Sequence, residues 1–93
     1  MDNTALPISV ILEKHQLFLD RVSRPLAYRV EHFKDTMVIG CSLILAIGER
    51  MDADREAGLD TSLLSDLFDR LEARIRAEVK AIRPNATPEW RFN

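Results

Sequence analysis

Cysteine is almost missing from this chain: among 93 residues Cys41 stands alone. No internal disulfide can form, and a reducing compartment is the simplest setting. Histidine is nearly as scarce. His15, His32 and Cys41 are the soft ligand candidates, and no two stand at a metal-site spacing such as C-x-x-C or H-x-x-x-H. No metal or cofactor is therefore expected. Three glycines and four prolines leave no glycine-rich phosphate loop and no nucleophile elbow, and the carboxylates are spread over helical surfaces where solvated ion pairs account for them. The chain does not read as an enzyme, and no small-molecule substrate is expected.

Net charge is small as well. The formal value of −2 supplies no field to draw in nucleic acid and disfavours adsorption to anionic membranes. The apolar run Met37 to Ile47, which carries no charge, covers about eleven residues against the roughly 20 needed to cross a bilayer. The N-terminus begins acidic, with no Lys or Arg before its apolar part, which is the wrong pattern for a secretory signal. The expected setting is cytoplasmic.

What is present is helical periodicity. With 46% apolar and 30% charged residues the chain is globular, one domain near the size at which oligomerisation often completes a core. Residues 1–7 form a lead, with Pro7 suited to a first helical turn. Ile8, Ile11, Leu12, His15, Phe18, Leu19 and Val22 then recur at helical spacing, giving helix one over 8–22. His15 falls on the apolar side and reads as a half-buried histidine; His32 reads as a surface residue. Ser23-Arg24-Pro25 ends that helix and starts a second.

Helix two is expected as one long element over 26–57, about 48 Å at 1.5 Å per residue. It passes through Gly48 at a cost of about 1 kcal/mol and stops at Gly58, the better C′ residue. A strand over 37–47 is the rival, since Val38, Ile39, Ile44 and Ile47 are β-branched, but it has no partner strand. Helix three, over 61–83, carries the stripe Leu64, Leu67, Phe68, Leu71, Ile75, Val79 and Ile82 and ends at Pro84. The short link at 58–61 folds helices two and three into an antiparallel hairpin, with Gly40 facing Ile75 and Phe33 facing Ile82. The fold class is all-α: three helices, a long central one paired with the C-terminal one.

The uncharged run 37–47 organises the rest, because it must be covered on nearly every side. Helix three covers one side. Helix one is expected over Val38, Cys41 and Leu45, which leaves Cys41 no exposure. The remaining side then needs a second copy of the chain, with Val38, Ile39, Leu43 and Ala46 as the interface of a helical-bundle homodimer.

Three further groups are candidates for partner contact. The segment 84–93 contains Trp90 and Phe92, two apart and so on one side of an extended chain; they either plug the bundle or dock on a partner. Residues 49–60 are rich in acids, and Asp52, Asp54 and Glu56 form a candidate acidic knob for a basic partner. Residues 53–70 have a faint helix-turn-helix look, with Arg76, Lys80 and Arg83 as a basic stripe, although Asp60, Asp66 and Asp69 would repel phosphates. The favoured function is non-catalytic protein binding by a small dimeric regulator, inhibitor, adaptor or chaperone-like protein. The alternative is a dimeric DNA-binding regulator using 53–70.

Overall fold

The structure, a computed structural model, describes residues 5–83. All regular elements among them are helices: α1 (Ile8–Val22), α2 (Leu26–Glu31), α3 (Phe33–Glu56) and α4 (Ser62–Ile82). The run 37–47 lies wholly inside α3, so the strand alternative is set aside. No helix among the described residues is long and apolar enough to cross a membrane.

Each helix end has a local cause. Pro7 and Pro25 both hold extended backbone one residue before a helix, with φ near −60°. Their carbonyls accept the first intrahelical bonds: Pro7 O from Val10 and Ile11 N–H, Pro25 O from Arg29 N–H. Proline is therefore the N-cap here rather than the first helical residue. α3 runs through Gly48 and ends in a glycine stop. Gly58 adopts φ 80°, its N–H donates to Arg55 O at 3.0 Å, and Leu59 N–H reaches back to Asp54 O at 2.8 Å. This pair of reversed bonds is the Schellman pattern, open to glycine because it lacks a Cβ. At the start of α4 the Asp60 carboxylate accepts from both the backbone N–H and the hydroxyl of Ser62, and those bonds hold Asp60 below the ordinary carboxylate range.

One expectation is corrected here. The single helix over 26–57 is two helices, bent at His32, whose φ of −107° and ψ of 23° depart from helical values. Neither proline nor glycine stands at the bend, so nothing local announces it. Contacts between distant residues accompany it instead. Arg29 donates from Nε and Nη2 to both carboxylate oxygens of Glu78 in α4, which ties α2 to the C-terminal end of the bundle. The His32 ring lies 4.3 Å from that of Tyr28, which carries the Arg24 guanidinium 5.1 Å above it.

α3 is the central element, packed against α1 along one side and α4 along another. Ile11, Phe18 and Val22 from α1, Leu43, Ala46 and Ile47 from α3, and Leu64, Leu67 and Leu71 from α4 form one buried cluster. Fully burying an aliphatic or Phe side chain of this kind stabilises by about 1.5–3 kcal/mol. Gly40 is a point of close approach. A Cβ built there would stand 2.9 Å from Phe18 Cε1 and 3.1 Å from Ile75 Cδ1. The expected pairing of Gly40 with Ile75 is met, and Phe18 of α1 shares the same notch.

A candidate interaction surface on the outer side of α3 and α4

The placement of α1 decides which part of α3 is left uncovered. α1 does not cover Val38, Cys41 and Leu45. It lies over the opposite flank, where Leu43 is 1% exposed and Ala46 9%, while Ile39 packs partly buried against the same cluster. Three of the four residues expected at a dimer interface are thus occupied within the chain. Val38 alone of the four remains open, at 64%. The reason is angular. Residues 39, 43 and 46 share a side of the helix with Thr36 and Gly40, both buried, and only glycine at position 40 admits the ring of Phe18 so close to the α3 backbone. α1 therefore docks where the backbone can be approached. α1 was expected over Val38, Cys41 and Leu45, and it takes the side of Leu43 and Ala46 instead.

What remains outward is Val38, Leu45 at 69%, and the exposed Cys41. The exposure of Cys41 also departs from expectation. Cys41 and Leu45 border an open groove of about 500 Å³ between α3 and α4, lined also by Ile44, Phe68 and Ile75 with Glu72 and Arg76 on its rim. Glu72 and Arg76 pair with each other at 3.0 Å on the exposed side of α4. The apolar groove and the outer strip of α3 are continuous through Cys41 and Leu45. Every residue of α3 between Asp35 and Glu49 is uncharged, so this surface can be desolvated without burying an ion.

The other candidate residues separate. Asp54 is buried at 6%, its Oδ1 accepting from Arg50 Nε and Nη2 at 3.0 and 2.8 Å, while Arg50 Nη1 also donates to Leu6 O. Asp54 thus holds Arg50, which fastens the chain ahead of α1 to α3, and being buried it does not belong to an acidic knob. Asp52 pairs with Arg55 in solvent, and Glu56 is exposed. Of the basic stripe, Arg76 is paired with Glu72 and Lys80 is exposed; Arg83 closes α4 as its C-cap. Trp90 and Phe92 lie outside the described residues. His15 is half-buried as expected; desolvation, and secondly the nearby Arg70, hold its pKa below the ordinary 6.5.

Among the described residues, no cluster of three or more His, Cys, Asp or Glu side chains could hold a metal ion. No family model, curated protein or solved structure matches this chain.

Proposed function

We propose that this protein is a non-catalytic protein–protein interaction module, a small regulator or adaptor that pairs with a second copy of itself through the outer side of α3. The observation that carries this reading is the uncovered strip Val38–Cys41–Leu45. Its spacing of 3 and 4 is that of a helix-packing seam, and it contains no charge.

The strip is also self-complementary. If two copies of α3 cross antiparallel about a two-fold axis near Cys41 and Ser42, Val38 of one copy meets Leu45 of the other. The small residues at the centre let the backbones approach. At the ends of the same strip, the exposed Lys34 comes opposite the exposed Glu49, twice by symmetry. A chemically unrelated partner has no such reason to fit.

Light scattering on the full chain and on V38E/L45E tests this. The variant is expected to remain a single chain at concentrations where the wild type associates, and to melt where the wild type melts at dilutions that leave it a single chain, because neither side chain is buried in the monomer. L12E serves as a control, since Leu12 is an exposed leucine of α1 at 49%, outside the strip; it should associate like the wild type. Equal mass for wild type and V38E/L45E at every concentration would refute the proposal.

The DNA-binding alternative has less behind it. α4 still meets α3 at Ile75 and Gly40, far back from the link at 58–61, whereas helix-turn-helix units cross at about 90–120°, and Arg70 and Arg76 are each already paired with an acid one turn away.

A further inference from the structure

We propose that Arg21 of α1 and Thr36 of α3 together hold a small monovalent anion of the chloride class in the seam between the two helices. The site stands apart from the outer strip of α3, and it does not depend on the pairing reading.

Two unpartnered groups carry the argument. Arg21 Nη1 and Thr36 Oγ1 are both buried atoms, and neither has a hydrogen-bond partner. Thr36 as a whole is 2% exposed. A threonine hydroxyl inside a helix commonly bonds back to the carbonyl one turn earlier. Here that carbonyl belongs to His32, at the bend; it accepts from the Thr36 N–H, while the hydroxyl stays unpaired. Buried polar groups are nearly always paired, so two orphans in one small chain call for a common cause.

The fold brings the two groups to one place. Leu6 O accepts from Arg50 and Phe18 packs at Gly40, so α1 and α3 run antiparallel. One turn on from Phe18 in α1 stands Arg21, and one turn back from Gly40 in α3 stands Thr36. Both are therefore at the same level of the seam. At about 100° per residue, Arg21 is turned about 60° from Phe18, and Thr36 about 40° from Gly40. For two right-handed helices running in opposite directions these offsets fall on the same side of the seam, with Val22 and Met37 on the other. Arg74 of α4 donates to Val22 O, so the Arg21 side faces away from α4.

The chemistry of the pair selects the occupant. A guanidinium nitrogen only donates, and a threonine hydroxyl donates as readily as it accepts. Among the described residues no carboxylate pairs with Arg21: Asp20 goes to Arg24 and Glu78 to Arg29. A chloride-sized anion accepts from both groups and balances the buried positive charge. Water could accept from both only by leaving its own hydrogens unpaired, because the other residues on this side of α3, Ile39, Leu43 and Ala46, are apolar.

Chloride NMR on the full chain reads the site directly. The wild type should broaden the chloride line in proportion to protein concentration, and bromide should compete the broadening away. R21M and T36V should each reduce it several-fold, and R21M/T36V no further than either alone. Melting gives a second reading. If nothing is bound, T36V removes an unpaired hydroxyl and should melt no lower than the wild type; if the anion is bound, T36V forfeits its stabilisation. The wild type should thus melt several degrees above T36V in sodium chloride, and at or below T36V in sodium gluconate of equal ionic strength. Equal broadening by the wild type and both single variants would overturn the proposal. So would the same gap between wild type and T36V in the two salts, which is the result a trapped water gives.

Discussion

Arg29 and Glu78 meet face to face across 49 residues of sequence, with the guanidinium donating to both carboxylate oxygens at 3.0 and 2.9 Å. Glu78 is 2% exposed and the Arg29 side chain 20%. α2 buries no residue of its own, so this bidentate pair is a principal fastening between α2 and α4. Arg29 is held above its ordinary pKa mainly by the hydrogen bond to Glu78.

Arg29→Ala would leave the Glu78 carboxylate buried without its cation. The expected loss is about 2–3 kcal/mol, toward the lower end for broken buried pairs because Arg29 is partly solvated. Replacing both residues, R29M/E78L, should recover much of that loss, since an apolar pair of similar volume leaves no buried charge. Urea denaturation of the three chains checks this; a single Arg29→Ala variant as stable as wild type would mean the pair contributes nothing.

The two glycines inside α3 should respond oppositely to the same substitution. At Gly48 an added Cβ meets nothing within 4 Å, so Gly48→Ala should stabilise by about 0.5–1 kcal/mol through helix propensity alone. At Gly40 the Cβ would press on Phe18, which is fully buried, and on Ile75. Overpacking of this kind costs about 1–3 kcal/mol and outweighs the propensity gain. Thermal melts should move up for the first variant and down for the second. A stabilising Gly40→Ala would place Phe18 elsewhere.

His15 predicts a pH dependence. Its folded pKa lies below the unfolded value near 6.5, chiefly through burial and then through Arg70. The unfolded chain therefore binds the proton more readily. Stability contributed by neutral His15 is fully present above the unfolded value, and it falls as pH drops from about 6.5 through the lower folded value. His15→Gln should flatten that segment of the stability–pH curve, and Arg70→Ala should shrink it. An unchanged slope between pH 7 and 5 in His15→Gln would remove His15 as the cause.

Much of the architecture was legible because it is local. The stripe of α4, the proline starts and the Gly58 stop follow from spacing and backbone chemistry alone, and the Gly40–Ile75 pairing follows from a short hairpin link. The bend at His32 was not legible: it accompanies a contact between residues 29 and 78, and no proline or glycine marks it. The side of α3 that receives α1 was hidden for a related reason. Val38, Cys41 and Leu45 are as apolar as Ile39, Leu43 and Ala46, so hydropathy cannot rank them. The choice follows the notch at Gly40, which matters only once Phe18 is placed against it. The uncovered strip therefore lies on α3 but is displaced around its circumference from the expected interface, with Val38 the one residue common to both.

The pairing proposal makes its sharpest commitment at Lys34 and Glu49, and sedimentation equilibrium on four full-length chains tests it. K34E and E49K should each weaken association about two- to thirtyfold, as expected for surface pairs worth a few tenths of a kcal/mol to about 1 kcal/mol each and counted twice by symmetry. K34E/E49K should return to the wild-type constant, because the exchanged charges face each other again across the two-fold axis. A wild type that stays at 10.7 kDa at every concentration, or a double variant no tighter than either single one, would contradict the account.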